Sequence, residues 1–105
     1  MITQEVLETV ARGMVAAGLY KDIAAALRAM ALEQIERKIA TYRAQVEGFE
    51  KKYHHSLETQ SALLAGRASM EEEEEWMEWK GAVVMLEAWH RALQEVLKNV
   101  SEAGR

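Results

Sequence analysis

The sequence predicts an all-α protein, and three observations carry that prediction. The 105 residues contain no proline, good helix formers such as Ala, Leu, Met, Glu and Lys dominate, and apolar residues recur at alternating spacings of three and four. A proline costs about 3 kcal/mol inside a helix, so its absence leaves long helices uninterrupted. No stretch alternates apolar and polar residues for long enough to predict a strand. With 50% hydrophobic residues the chain can build a core, and its length suits a single helical domain, 1–105.

The first helix is expected over 3–17. Thr3 can cap it, with Glu5 in the first turn facing the positive end of the helix dipole. Val6, Val10 and Met14 make its apolar stripe, and Gly18 ends it with a residue that enters the left-handed region freely. The second helix is expected over 22–53. It carries the seam Leu32, Ile35, Ile39, Tyr42, Val46, Phe49 and Tyr53, whose spacing is that of helices packed side by side. Glu33 with Arg37 and Glu47 with Lys51 are acid-to-base pairs one turn apart, which support an exposed face.

His54 and His55 break the pattern, and Ser56 can cap a short helix over 56–65 that Gly66 stops. Ser69 followed by Glu72 is a capping box, the sharpest boundary signal in the chain, and opens a helix over 70–100. Its stripe is Trp76, Trp79, Val83, Leu86, His90, Leu93, Leu97 and Val100, with a second row of Ala82, Met85, Trp89, Ala92 and Val96 beside it. Two long helices joined by a compact connection should form an antiparallel hairpin. That register sets Phe49 and Tyr53 near Trp76 and Trp79, and His90 near Ile39. Apolar stripes this wide exceed what a two-helix hairpin covers, so a homodimeric helical bundle is expected.

Charge and composition narrow the function. The net charge is −4, and residues 54–105 hold five Lys/Arg against ten Asp/Glu. An acidic half without a basic patch argues against nucleic-acid binding, because phosphate neutralisation supplies most of that affinity. The absence of cysteine fits a reducing compartment. No signal-peptide pattern and no membrane-length apolar run is seen, so a cytoplasmic protein is expected.

Nothing in the chain predicts catalysis. There is no glycine-rich phosphate loop, no Ser-His-Asp set and no paired-carboxylate constellation, so no catalytic residue and no cofactor is expected. The one Glu-x-x-His spacing, Glu87 to His90, occurs once, whereas a dimetal bundle repeats it on two helices, so no metal is expected. The run Glu71 to Glu75, with Glu78, reads as a dipole-stabilised and solvated helix start. His90 reads as a seam histidine with one hydrogen-bond partner, and the cluster Phe49, Tyr53, Trp76 and Trp79 as core. The candidate partner-binding residues are Met77, Met85 and Trp89, since tryptophan is enriched at binding hot spots and methionine adapts to varied surfaces.

The segment from Gly18 through Tyr20 to Ala26-Leu27-Arg28 resembles a phrase common in small prokaryotic antitoxins, a Gly-x-Tyr turn followed by a helix bearing Ala-Leu-Arg. The run Phe49 to Tyr53, the glutamates 71 to 75 and Trp76-Met77-Glu78-Trp79 look like short helical proteins of toxin–antitoxin gene pairs. The resemblance implies a protein that binds and silences a cognate toxin and that dimerises. It departs from the ribbon-helix-helix antitoxins, which place a basic strand before the first helix; here only two residues precede Thr3. The resemblance therefore implies toxin binding through helices rather than operator binding. The alternative expectation is a self-associating structural or adaptor bundle with another protein partner.

Overall fold

A computed structural model describes residues 3–103, with side chains described through Asn99. It contains four α-helices, α1 (Gln4–Ala16), α2 (Ile23–Tyr53), α3 (Leu57–Leu64) and α4 (Met70–Ala103), and no strand among the described residues. The long helices α2 and α4 pack against each other. Both run through two compact units. The first comprises the chain up to Glu36 and from Ala92 onward, the second Arg37–Arg91.

The helix ends follow local chemistry. The Thr3 side chain accepts the Val6 N–H at 3.3 Å, which satisfies one of the donors left without a partner in a first turn. Asp22 does the same for Ala25 at 2.7 Å. Ser69 and Glu72 form the reciprocal box, each side chain accepting the other's backbone N–H at 3.2 Å. Gly18, at φ 80°, closes α1, with Leu19 donating back to the Met14 carbonyl at 2.9 Å. His54, at φ 60°, ends α2 in the left-handed region that a non-glycine residue enters at some cost.

In the first unit the buried residues are Ala11, Ala26 and Ile35. The stripe expected of α1 is not what it buries. Val6 and Val10 stay 49% and 46% exposed, and Ala11 is the residue fully covered.

In the second unit Ile39, Trp79, Ala82 and Gln60 are buried. Trp79 is the largest side chain fully withdrawn from solvent, and its ring stacks on Phe49 at 5.7 Å and on Tyr53 at 5.8 Å between centroids. Further along, Arg43 meets His90 at 3.3 Å. Contacts that climb α4 as they descend α2 make the two helices antiparallel here. The short helix α3 is tied down by polar contacts. Trp76 donates its indole N–H to Ser61 Oγ at 2.7 Å, Ser61 donates to the Leu57 carbonyl at 2.9 Å, and the buried Gln60 pairs with the His55 ring.

Candidate interaction surface

The polar centre of the second unit is a three-residue cluster where α2 ends. Glu75 takes a hydrogen bond from Lys52 Nζ at 2.5 Å through one carboxylate oxygen and another from the Tyr53 hydroxyl through the other. The Lys52 and Tyr53 bonds hold the Glu75 carboxyl below its ordinary range. Glu75 in turn pushes the Tyr53 phenol up, with burial adding to the effect, and pushes the Lys52 ammonium up. The solvated reading of the whole run 71–75 is therefore corrected at Glu75, which is only partly exposed and is an anchor between α2 and α4. The sequence signal for it was indirect. The antiparallel register that brings Tyr53 to Trp79 also brings it within reach of one glutamate of the run.

The cluster ties the end of α2 to the second turn of α4. Each of its three groups is engaged by another, the Glu75 carboxylate accepting from both Lys52 and Tyr53. Among the described residues no three His, Asp or Glu side chains gather closely enough to hold a metal ion. Among the described residues no helix is long and apolar enough to cross a membrane.

The three residues singled out for partner binding sit differently. Met77 is 67% exposed and Met85 38% exposed. Trp89 is half-buried, and its indole N–H is shut away from solvent without a hydrogen-bond partner. Trp89 therefore belongs as much to the packing of α4 as to its surface. His90 bonds to Arg43, one turn along α2 from Ile39. A guanidinium can only donate, so the His90 Nε2 accepts and the ring proton resides on Nδ1 in this pairing.

The residue that the sequence reading passed over is Val84, 52% exposed. With Met77 it forms a row on the side of α4 turned away from buried Trp79 and Ala82, flanked by exposed Met85 and interrupted by Gly81. A side chain at Gly81 would meet nothing within 4 Å. Shallow hollows flank the row. One of about 430 Å³ runs from Trp76 and Met77 past Lys80 to Val84 and Met85, with the Lys80 ammonium 5.0 Å above the Trp76 ring. Another, about 380 Å³, separates α3 from α4 between Leu64, Trp76 and Met77. A third, of about 660 Å³, lies between α2 and α4 with Gly48 and Gly81 among its walls.

Compared with known proteins, the chain matches no protein family, no curated protein and no solved structure at a significant level.

Proposed function

We propose that this chain is a non-enzymatic, cytoplasmic protein-binding module that engages its partner through the outer row of α4. One observation carries the reading: Met77, Val84 and Met85 stand exposed together on a long, regular helix, with Gly81 open between them. Single exposed apolar residues are ordinary, but a contiguous row on a rigid element marks a contact surface. A rigid helix face offers it at little ordering cost, and methionine adapts to the shape it meets.

The partner class is the one the antitoxin resemblance implies, a cognate toxin held by helix-in-groove contacts. Charge supports it. Glu71, Glu72, Glu73, Glu74 and Glu78 lead into the row, so a basic partner would be steered to it. Nucleic acid is the poorer candidate for the same reason.

The test is co-expression with the small protein encoded next to this chain, scored by growth and by co-purification. The expected result is toxicity of that protein alone, rescue by the wild-type chain, and loss of both rescue and co-purification with Met77→Glu/Val84→Glu. A neighbour that is harmless alone, or rescue undiminished by the double variant, overturns the antitoxin reading.

A further inference from the structure

The outer row of α4 extends beyond its exposed apolar residues. Read from Glu74, the positions that share this side of the helix at alternating spacings of three and four are Glu74, Met77, Gly81, Val84, Ala88 and Arg91. All except the half-buried Ala88 are exposed, and all lie in the compact unit Arg37–Arg91. An unpaired heptad seam of this kind lacks only a second helix.

We propose that the occupant is α4 of a second copy of this chain, packed antiparallel across a two-fold axis. The proposal rests on the reading of this row as a contact surface and gives that surface its resting occupant, which a toxin would displace. The argument is self-complementarity. In an antiparallel pair, seam positions of one helix face seam positions of the other in reverse order. Set Gly81 opposite Val84 of the second copy and the remaining layers follow without further choice. Met77 faces Ala88, and Glu74 faces Arg91. Each large side chain meets a small one, and each charge meets its opposite.

The flanking positions agree. The same register brings Lys80 beside Glu87 of the second copy, both exposed, on the edge of the seam where like positions of antiparallel helices meet. The Lys80 ammonium lies over the Trp76 ring on this same edge of α4, and in the pair it exchanges that contact for the Glu87 carboxylate of the second copy. Two-fold symmetry doubles every pairing, which gives four opposite-charge contacts around four large-on-small layers, and no like charges oppose one another in these layers. A parallel pair loses this match. Glu74 would face Glu74 and Arg91 would face Arg91, with Gly81 facing Gly81 and leaving a void. The seam from Glu74 to Arg91 spans roughly 26 Å at 1.5 Å per residue. Gly81 and Ala88 let the two backbones approach closely, as small residues do at helix crossings.

Light scattering of the full chain across a concentration series tests this, with helicity followed by circular dichroism so that loss of pairing is separated from loss of fold. The expected wild-type mass is twice the 11.9 kDa of the chain. Glu74→Arg and Arg91→Glu should each weaken the dimer about tenfold, because each turns two attractive contacts into repulsive ones. The variant carrying both exchanges should return to within about threefold of wild type. Lys80→Glu and Glu87→Lys should behave as a second such set. Val84→Glu should give a helical monomer. A monomeric wild type, a dimer indifferent to the single reversals, or a double exchange without rescue overturns the proposal. So does quantitative self-disulfide formation by Arg91→Cys, since the two copies of this position lie roughly 26 Å apart in the antiparallel pair and face each other only in a parallel one.

A photocrosslinking residue in place of Met77, used in cells, keeps this failure distinct from failure of the broader reading. A monomeric chain that crosslinks to a different protein removes the self-pairing and leaves the binding surface standing. A monomeric chain that crosslinks to nothing removes both.

Discussion

Tyr53, the last residue of α2, donates its phenolic hydrogen to Glu75 in the second turn of α4, and the neighbouring Lys52 holds the other oxygen of the same carboxylate. The contact joins residues on opposite sides of α3 and fixes where α4 lies along α2. Because Tyr53 also stacks on Trp79, one side chain couples the polar clamp to the aromatic core of the second unit.

The clamp gives stability a defined acid dependence. Hydrogen bonds from Lys52 and then Tyr53 hold the Glu75 carboxyl below its usual range. A group depressed in the folded state contributes stability that is present above its unfolded value, about 4.3 for glutamate, and lost as pH falls through the folded value. The melting temperature of the wild type should therefore drop more steeply below about pH 4 than that of Glu75→Gln. Parallel acid limbs in the two proteins would remove Glu75 as the cause.

At the alkaline end the sign is reversed. The Tyr53 phenol is raised, first by its bond to Glu75 and then by burial. Its contribution is complete below the unfolded value of about 10 and is lost as pH rises through the higher folded value. Ultraviolet titration of phenolate should show one tyrosine ionising above that value, and Glu75→Gln should bring it down. A late-titrating tyrosine that persists in Glu75→Gln would mean that burial alone sets it.

Trp79 should dominate the stability of the second unit. It is fully buried and stacked on two rings. Trp79→Ala should cost about 3–5 kcal/mol in urea unfolding. Trp79→Phe should cost less than about 1.5 kcal/mol, because it preserves the stacking and removes an indole N–H that has no partner. Equal damage from both substitutions would show that shape at this site matters more than aromatic stacking.

What could be read from the sequence divides along physical lines. Helix ends are set by neighbours in sequence, so Thr3, Ser56 and the Ser69–Glu72 box announced themselves. The meeting of Phe49 and Tyr53 with Trp79 followed from an antiparallel register alone. Periodicity, however, says which residues share a face and not whether anything covers it. Val6, Val10 and Leu97 fit their stripes and remain 49%, 46% and 49% exposed. The outer row of α4 was missed for the converse reason. Gly81 and the surrounding glutamates dilute its apolar signal, so Val84 joined no seam. In a run of five glutamates nothing local distinguishes Glu75; only the packing of α4 on α2 does.

Gly48 and Gly81 offer a direct measure of how open the hollow between α2 and α4 is. Both are interior helical residues, both line that hollow, and a methyl group at either meets nothing within 4 Å. Alanine is about 1 kcal/mol better than glycine inside a helix, so each Gly→Ala variant should gain on that order in urea unfolding. If the hollow is as open as the geometry has it, the two methyl groups do not touch and the double variant should show the sum to within about 0.5 kcal/mol. A double variant that falls well short of the sum would mean that α2 and α4 approach more closely at this point, with the new methyl groups in collision. Measuring all three at a concentration low enough to keep the chain monomeric separates this gain in folding from any change in self-pairing at Gly81.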